Sequence, residues 1–246
     1  LFLSVVIFIG LLVYSTPNQI QMTNDSVEYL SAANSLKDSG QLKGQRFDDF
    51  TEWPPGFPYV LNLLPTPIKA SAKFLMIGFG VLALILCYFI IEVCIKNSYW
   101  RSITLVAIPF QVSFILTHRF LWSEGLFLCL VLMLTLLHLK PFKSNTIHYI
   151  LSFVVMASLP MVRNAGLIFL ILFAFYSYWK HRNIKHLLLY SLTVLPWLYW
   201  FYSYGFDGHE AGGFFFNFRI NYFVEIARVI SPWGLLSVLI ASFLFF

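Results

Sequence analysis

Asp25 and Glu28 lie three residues apart in the run DSVEYL, at the head of the longest polar stretch in the chain. Carboxylates at that spacing share one face of a helix. An Asp with a Glu three residues on can form a capping box at a helix start. One of the two can equally activate a hydroxyl or hold a divalent metal ion. The two roles are compatible, because a carboxylate fixed at a helix start is well placed for chemistry.

Two further places carry similar groups. In THRFLWSE, His118 and Arg119 precede Glu124. The two bases could bind a phosphate. Glu124 opens an apolar run, where the helix dipole favours an acid and Ser123 would cap; facing a bundle, it would be functional. Arg163, in LPMVRNAG, separates two apolar runs with hardly any loop. It either snorkels to the bilayer surface or grips phosphate oxygens through two donors. Asp48 and Asp49 are metal ligands or part of a solvated loop. His209 and Glu210 sit among Gly208, Gly212 and Gly213, in a loop that could cover a substrate.

The scaffold around these groups is apolar. Of 246 residues, 59% are hydrophobic and 11% charged, with a mean hydropathy of +0.76. Soluble domains carry about 25% charged residues. Repeated long apolar runs predict an all-α, polytopic transmembrane bundle. No alternating ten-residue strands of a transmembrane barrel occur. The net charge of +5 comes from bases in short loops, which set topology rather than bind nucleic acid. Cys87, Cys94 and Cys129 lie in apolar runs without metal or redox spacing.

Taken in order, Phe2–Tyr14 is a first helix ended by Ser15-Thr16-Pro17. Val27, Leu30, Ala33 and Leu36 predict a short amphipathic helix over Asp25–Ser39, lying at the membrane surface and stopped by Gly40. Trp53–Pro58 is aromatic, proline-rich and not regular helix. A short apolar piece follows at Tyr59–Leu64. Spans are expected at Ala70–Ile95, Ser102–Leu116 (kinked at Pro109), Trp122–Leu139, Ile147–Met161, Asn164–Trp179 and Leu187–Tyr204. With the first helix and the last run, Trp233–Phe246, that makes about eight. The end runs are short for a ~30 Å core, so the expectation is one membrane domain over 1–246, cut at both ends. Its outer loops are 15–69 and 205–232.

The turns at 96–101, 140–146 and 180–186 hold Lys96, Arg101, Lys140, Lys143, Lys180, Arg182 and Lys185 and no acid. The positive-inside rule puts them in the cytoplasm. The alternate connections, with every acid except Glu92, then face the other side.

Asp25, Tyr29, Leu30, Ala33 and Gly40, followed by Pro54, Pro55 and Pro58 leading into a helix, resemble the first outer loop of the GT-C polytopic membrane glycosyltransferases. The likeness is to the bacterial families with the aminoarabinose transferase of lipid A and the protein O-mannosyltransferases. It implies inverting transfer of a sugar from a polyprenyl-phosphate donor to a lipid, glycan or protein acceptor. It places the protein in a bacterial inner membrane, active on the extracytoplasmic face. Asp25 then corresponds to the catalytic acid of that loop, with Glu28 and Glu124 as further catalytic candidates. Arg163, Arg119, His118 and Tyr29 are the substrate-binding candidates, and a divalent ion is a possible cofactor. Ser26 stands where many members carry a Glu beside the Asp. Two other classes fit the composition: a transporter or flippase for a lipid-linked substrate, and a non-catalytic membrane subunit.

Overall fold

The first helix, α1 (Phe2–Ser15), is apolar on every face and stops where Pro17 removes a backbone donor. The second, α2 (Asn24–Ser39), starts one residue before the expected position. Thr23 is its cap: its hydroxyl accepts from the Ser26 amide, and the Ser26 hydroxyl accepts from the Thr23 amide at 3.0 Å. The capping box is therefore Thr23 and Ser26, not Asp25 and Glu28. That frees both carboxylates for other work. Gly40 ends α2 with φ +71, a left-handed conformation that glycine adopts without steric cost.

The computed structural model describes residues 1–45, 49–51, 53–140, 145–182 and 184–204. Asp48, the loop 205–232 with His209 and Glu210, and the last apolar run lie outside them. The described residues form an all-helical unit; their only β pairing is two isolated bridges, Gln21 with Phe120 and Lys43 with Asp49.

Helix α3 (Gly56–Asn62) begins inside the proline-rich run, so Pro58 is helical after all. A proline in the first turn gives up only an amide that has no helical partner. Next come α4 (Ile68–Cys94), α5 (Ser98–Ala107) and α6 (Val112–Arg119). The expected kink at Pro109 is a break: a 3-10 turn over Ile108–Phe110, then α6 bent by 51°. Thr117, His118 and Arg119 form the last turn of α6 rather than a loop. The remaining elements are α7 (Glu124–Leu139), α8 (Asn145–Val162), α9 (Gly166–His181), α10 (Ile184–Ser191) and α11 (Leu195–Tyr204). A 3-10 turn at Leu192–Val194 splits what the sequence predicts as one helix from Leu187.

Among the described residues, α4 alone is long and apolar enough to cross a membrane, and the bent pair α5–α6 qualifies if counted as one span. Helices α1, α7, α8 and α9 are apolar but shorter. At about 1.5 Å per residue, the 16 residues of α7 reach about 24 Å.

Two apolar cores meet on α7. One gathers Phe8, Tyr29, Phe57, Met76 and Cys129; the other gathers Leu134, Met156, Leu159 and Tyr190. The buried stripe of α2 is Ser26, Tyr29, Ala32 and Ala33. Val27, Leu30 and Leu36 are only half-buried, so the helix turns its tyrosine inward.

Three connections expected on one side meet at one end. Gln21 and Phe120 pair through Gln21 N–H to Arg119 O (3.1 Å) and Leu121 N–H to Gln21 O (3.1 Å). The Trp122 indole donates to Thr23 Oγ1 at 2.8 Å. Trp197 of α11 donates to Asn164 Oδ1, in the α8–α9 turn, at 3.0 Å.

Candidate functional site

Tyr29 comes from the second turn of α2 and is 2% exposed. Its ring packs edge-on against Phe57, centroids 5.1 Å apart. That packing aims its hydroxyl at Ser123, with Oη and Oγ 3.2 Å apart. Ser123 is fully buried and precedes α7, but its side chain does not cap that helix. It also accepts from Arg163 Nη1 at 3.4 Å. The same Nη1 forms an ion pair with Glu124 Oε1. The result is a continuous polar line: Tyr29, Ser123, Arg163, Glu124.

Arg163 reaches this line because α8 and α9 reverse over three residues. Its amide still bonds Leu159 O at 3.0 Å, and its carbonyl accepts from Gly166 at 2.8 Å. The pair is not fully buried: the Arg163 and Glu124 side chains are 27% and 36% exposed. A phosphate can therefore approach the guanidinium from solvent. Helix α3 fixes the depth of the α8 end. A Cβ on Gly56 would lie 2.6 Å from the Met161 carbonyl oxygen, so only glycine lets the two backbones come this close.

Burial pushes the Tyr29 phenol up to about 12, against lowering by the Ser123 hydrogen bond and the Arg163 charge. Glu124 and Asp25 raise it further. Tyr29 is thus a neutral hydroxyl at physiological pH, and the charges of Arg163, Glu124 and Asp25 all bear on it.

Asp25 is half-buried in the first turn of α2, with no hydrogen bond or ion pair to its side chain among the described residues. Glu28 is committed elsewhere, its Oε2 accepting from the Gln45 amide at 3.0 Å and tying the loop after α2 back onto the helix. His118 is fully buried between α1 and α7, edge-on to Phe8 at 5.4 Å. Its Nδ1 donates to Phe114 O at 2.8 Å, because a carbonyl can only accept. It does not join the cluster. Arg119 lies next in chain, its Nε buried and without a hydrogen-bond partner among the described residues. The structure thus brings together Tyr29, Glu124 and Arg163, leaves Asp25 within electrostatic range, and sets Glu28 and His118 apart.

Ser123, the node, has no role in the sequence beyond a helix cap. Its partners lie 94 and 40 positions away, so no local pattern marks it. Among the described residues no group of three His, Cys, Asp or Glu side chains gathers as a metal site.

A groove of about 440 Å³ leads to Glu124. Ile108 and Gln111 of the α5–α6 break line it with Phe114, Phe127, Val131 and Phe169, and Thr117 adds a further polar side chain. Comparison with family models, with curated proteins and with solved structures finds no match.

Proposed function

We propose that the chain is an integral membrane glycosyltransferase of the GT-C type, using a polyprenyl-phosphate sugar donor. The observation that carries this is the line Tyr29–Ser123–Arg163–Glu124 beside an unpartnered Asp25, at the end of an apolar groove. An apolar chain in the groove would bring its phosphate to Arg163, whose guanidinium offers two donors. Asp25 takes the proton from the acceptor hydroxyl. That oxygen attacks the anomeric carbon, and the carbon–oxygen bond to the phosphate breaks. The electron pair leaves on the phosphate, where Arg163 stabilises it. Tyr29 and Ser123 position the guanidinium.

The membrane setting has its own support. Phe2, Phe74, Val112 and Ile171 are at least 70% exposed, on four different helices. Exposed apolar surface on that scale needs a partner, and lipid supplies one. In this reading the apolar runs make about eight spans, and the basic turns at 96–101, 140–146 and 180–186 put the site outside the cytoplasm. Several short helices would then sit within the bilayer beside α4 rather than span it alone.

Membranes containing the protein, given labelled sugar on polyprenyl phosphate, should move label to an endogenous acceptor. Absence of transfer from every such donor would reject the reading. One observation favours a second, a lipid-linked substrate carrier: the broken α5–α6 pair, bent by 51°. A carrier would move intact donor across vesicles without cleaving it.

A further inference from the structure

A second cavity, of about 390 Å³, shares no lining residue with the groove at Glu124. It lies between the end of α1, the segment after it and the first turns of α4. Val13, Asn18, Gln19, Lys69, Lys73 and Phe74 line it. Lys69 and Lys73 are four apart on one helix, so both ammonium groups reach the same face. Lys73 spends one donor on the carbonyl of buried Thr16, which pins the segment after α1 against α4. An ammonium has three donors, so two remain.

Neither lysine has a carboxylate partner among the described residues. The sequence offers none nearby: no Asp or Glu occurs from 1 to 24 or from 53 to 91. Much of the remaining lining is apolar and open, with Phe74 75% exposed and Val13 43% exposed. Two cations without a carboxylate partner and two side-chain amides thus share the cavity with bare hydrocarbon. A free phosphate would satisfy the first half and leave Phe74 uncovered. A diacyl phospholipid of negative charge satisfies both.

Resting on the membrane setting above, we propose that this cavity binds one anionic phospholipid, its phosphate between Lys69 and Lys73 and an acyl chain along Val13 and Phe74. The site lies apart from the proposed chemistry, so its occupant is a bound structural lipid rather than the donor.

The test is lipid competition on the detergent-solubilised full-length protein, by native mass spectrometry, with phosphatidylglycerol against phosphatidylcholine of the same chains. Each lysine at an anionic headgroup should contribute about fivefold. The wild type should therefore retain phosphatidylglycerol roughly tenfold or more in preference. Lys69→Gln, which leaves the Lys73–Thr16 contact intact, should cut the preference several-fold. The Lys69→Gln, Lys73→Gln double variant should abolish it. An unchanged preference in both variants, in a protein that resists carbonate extraction from membranes, overturns this site alone. Release of the wild type by carbonate overturns the membrane setting and the site with it. Full displacement of the lipid by millimolar inorganic phosphate would assign the cavity to free phosphate and overturn the lipid as occupant.

Discussion

The hydroxyls of Tyr29 and Ser123 lie 3.2 Å apart although 94 residues separate them in the chain. The contact closes the α2 loop onto the start of α7 and holds the serine that accepts from Arg163. Tyr29→Phe should keep the packing on Phe57 and lose this bond. The expected cost is about 1 kcal/mol, typical of one hydrogen bond. Ser123→Ala should cost about the same, and the double variant less than the sum, because both remove the same bond. Thermal unfolding in detergent across the four proteins measures this coupling.

The same burial sets a pH dependence. The folded phenol stands at about 12, above its unfolded value of 10. A raised acid holds its proton in the folded state after the unfolded chain has lost it. The stabilisation is therefore complete below pH 10 and is lost between 10 and 12 as pH rises. Absorbance titration of tyrosinate should find one fewer late-titrating group in Tyr29→Phe than in the wild type.

Gly56 and Gly78 separate close approach from helix propensity. Gly56→Ala would drive a methyl to 2.6 Å from the Met161 carbonyl oxygen, whereas Gly78 has nothing within 4 Å of the same position. The first change should destabilise by about 1–3 kcal/mol. The second should be neutral or stabilise by up to about 1 kcal/mol, since Gly78 is inside α4. Equal effects in a stability assay would contradict the close fit of α3 on α8.

Thr23 and Asp25 divide folding from chemistry. Thr23 caps α2 and accepts from the Trp122 indole, so Thr23→Ala should cost about 1–2 kcal/mol. Asp25→Asn breaks no contact among the described residues and should change the unfolding midpoint little.

Much of this was legible in the sequence. The helical class, the stop at Gly40 and the gathering of the 15–69, 117–124 and Arg163 connections follow from apolar periodicity, a glycine and alternating charge. The site was legible as residue types but not as contacts. Glu124 and Arg163 are 39 positions apart, and no local pattern states that two such charges pair. The carboxylates at 25 and 28 suggest a capping box, yet Thr23, two residues upstream, forms the box with Ser26 and starts the helix earlier. His118, beside Arg119, reads in the sequence as a candidate phosphate ligand. Continuation of α6 by one turn carries it inside, against Phe8 and Phe114. The proline at 109 marks a kink that the structure deepens to a break, whereas the 3-10 turn at Leu192–Val194 leaves the apolar pattern of its run uninterrupted.

The most direct test is sugar transfer from a polyprenyl-phosphate donor by membranes holding equal amounts of wild-type and Asp25→Asn protein. Removing a general base should lower the turnover about 100-fold or more, with the donor still bound and the unfolding midpoint unchanged. Full transfer by Asp25→Asn would contradict the assignment of Asp25 as the base, and with it the mechanism.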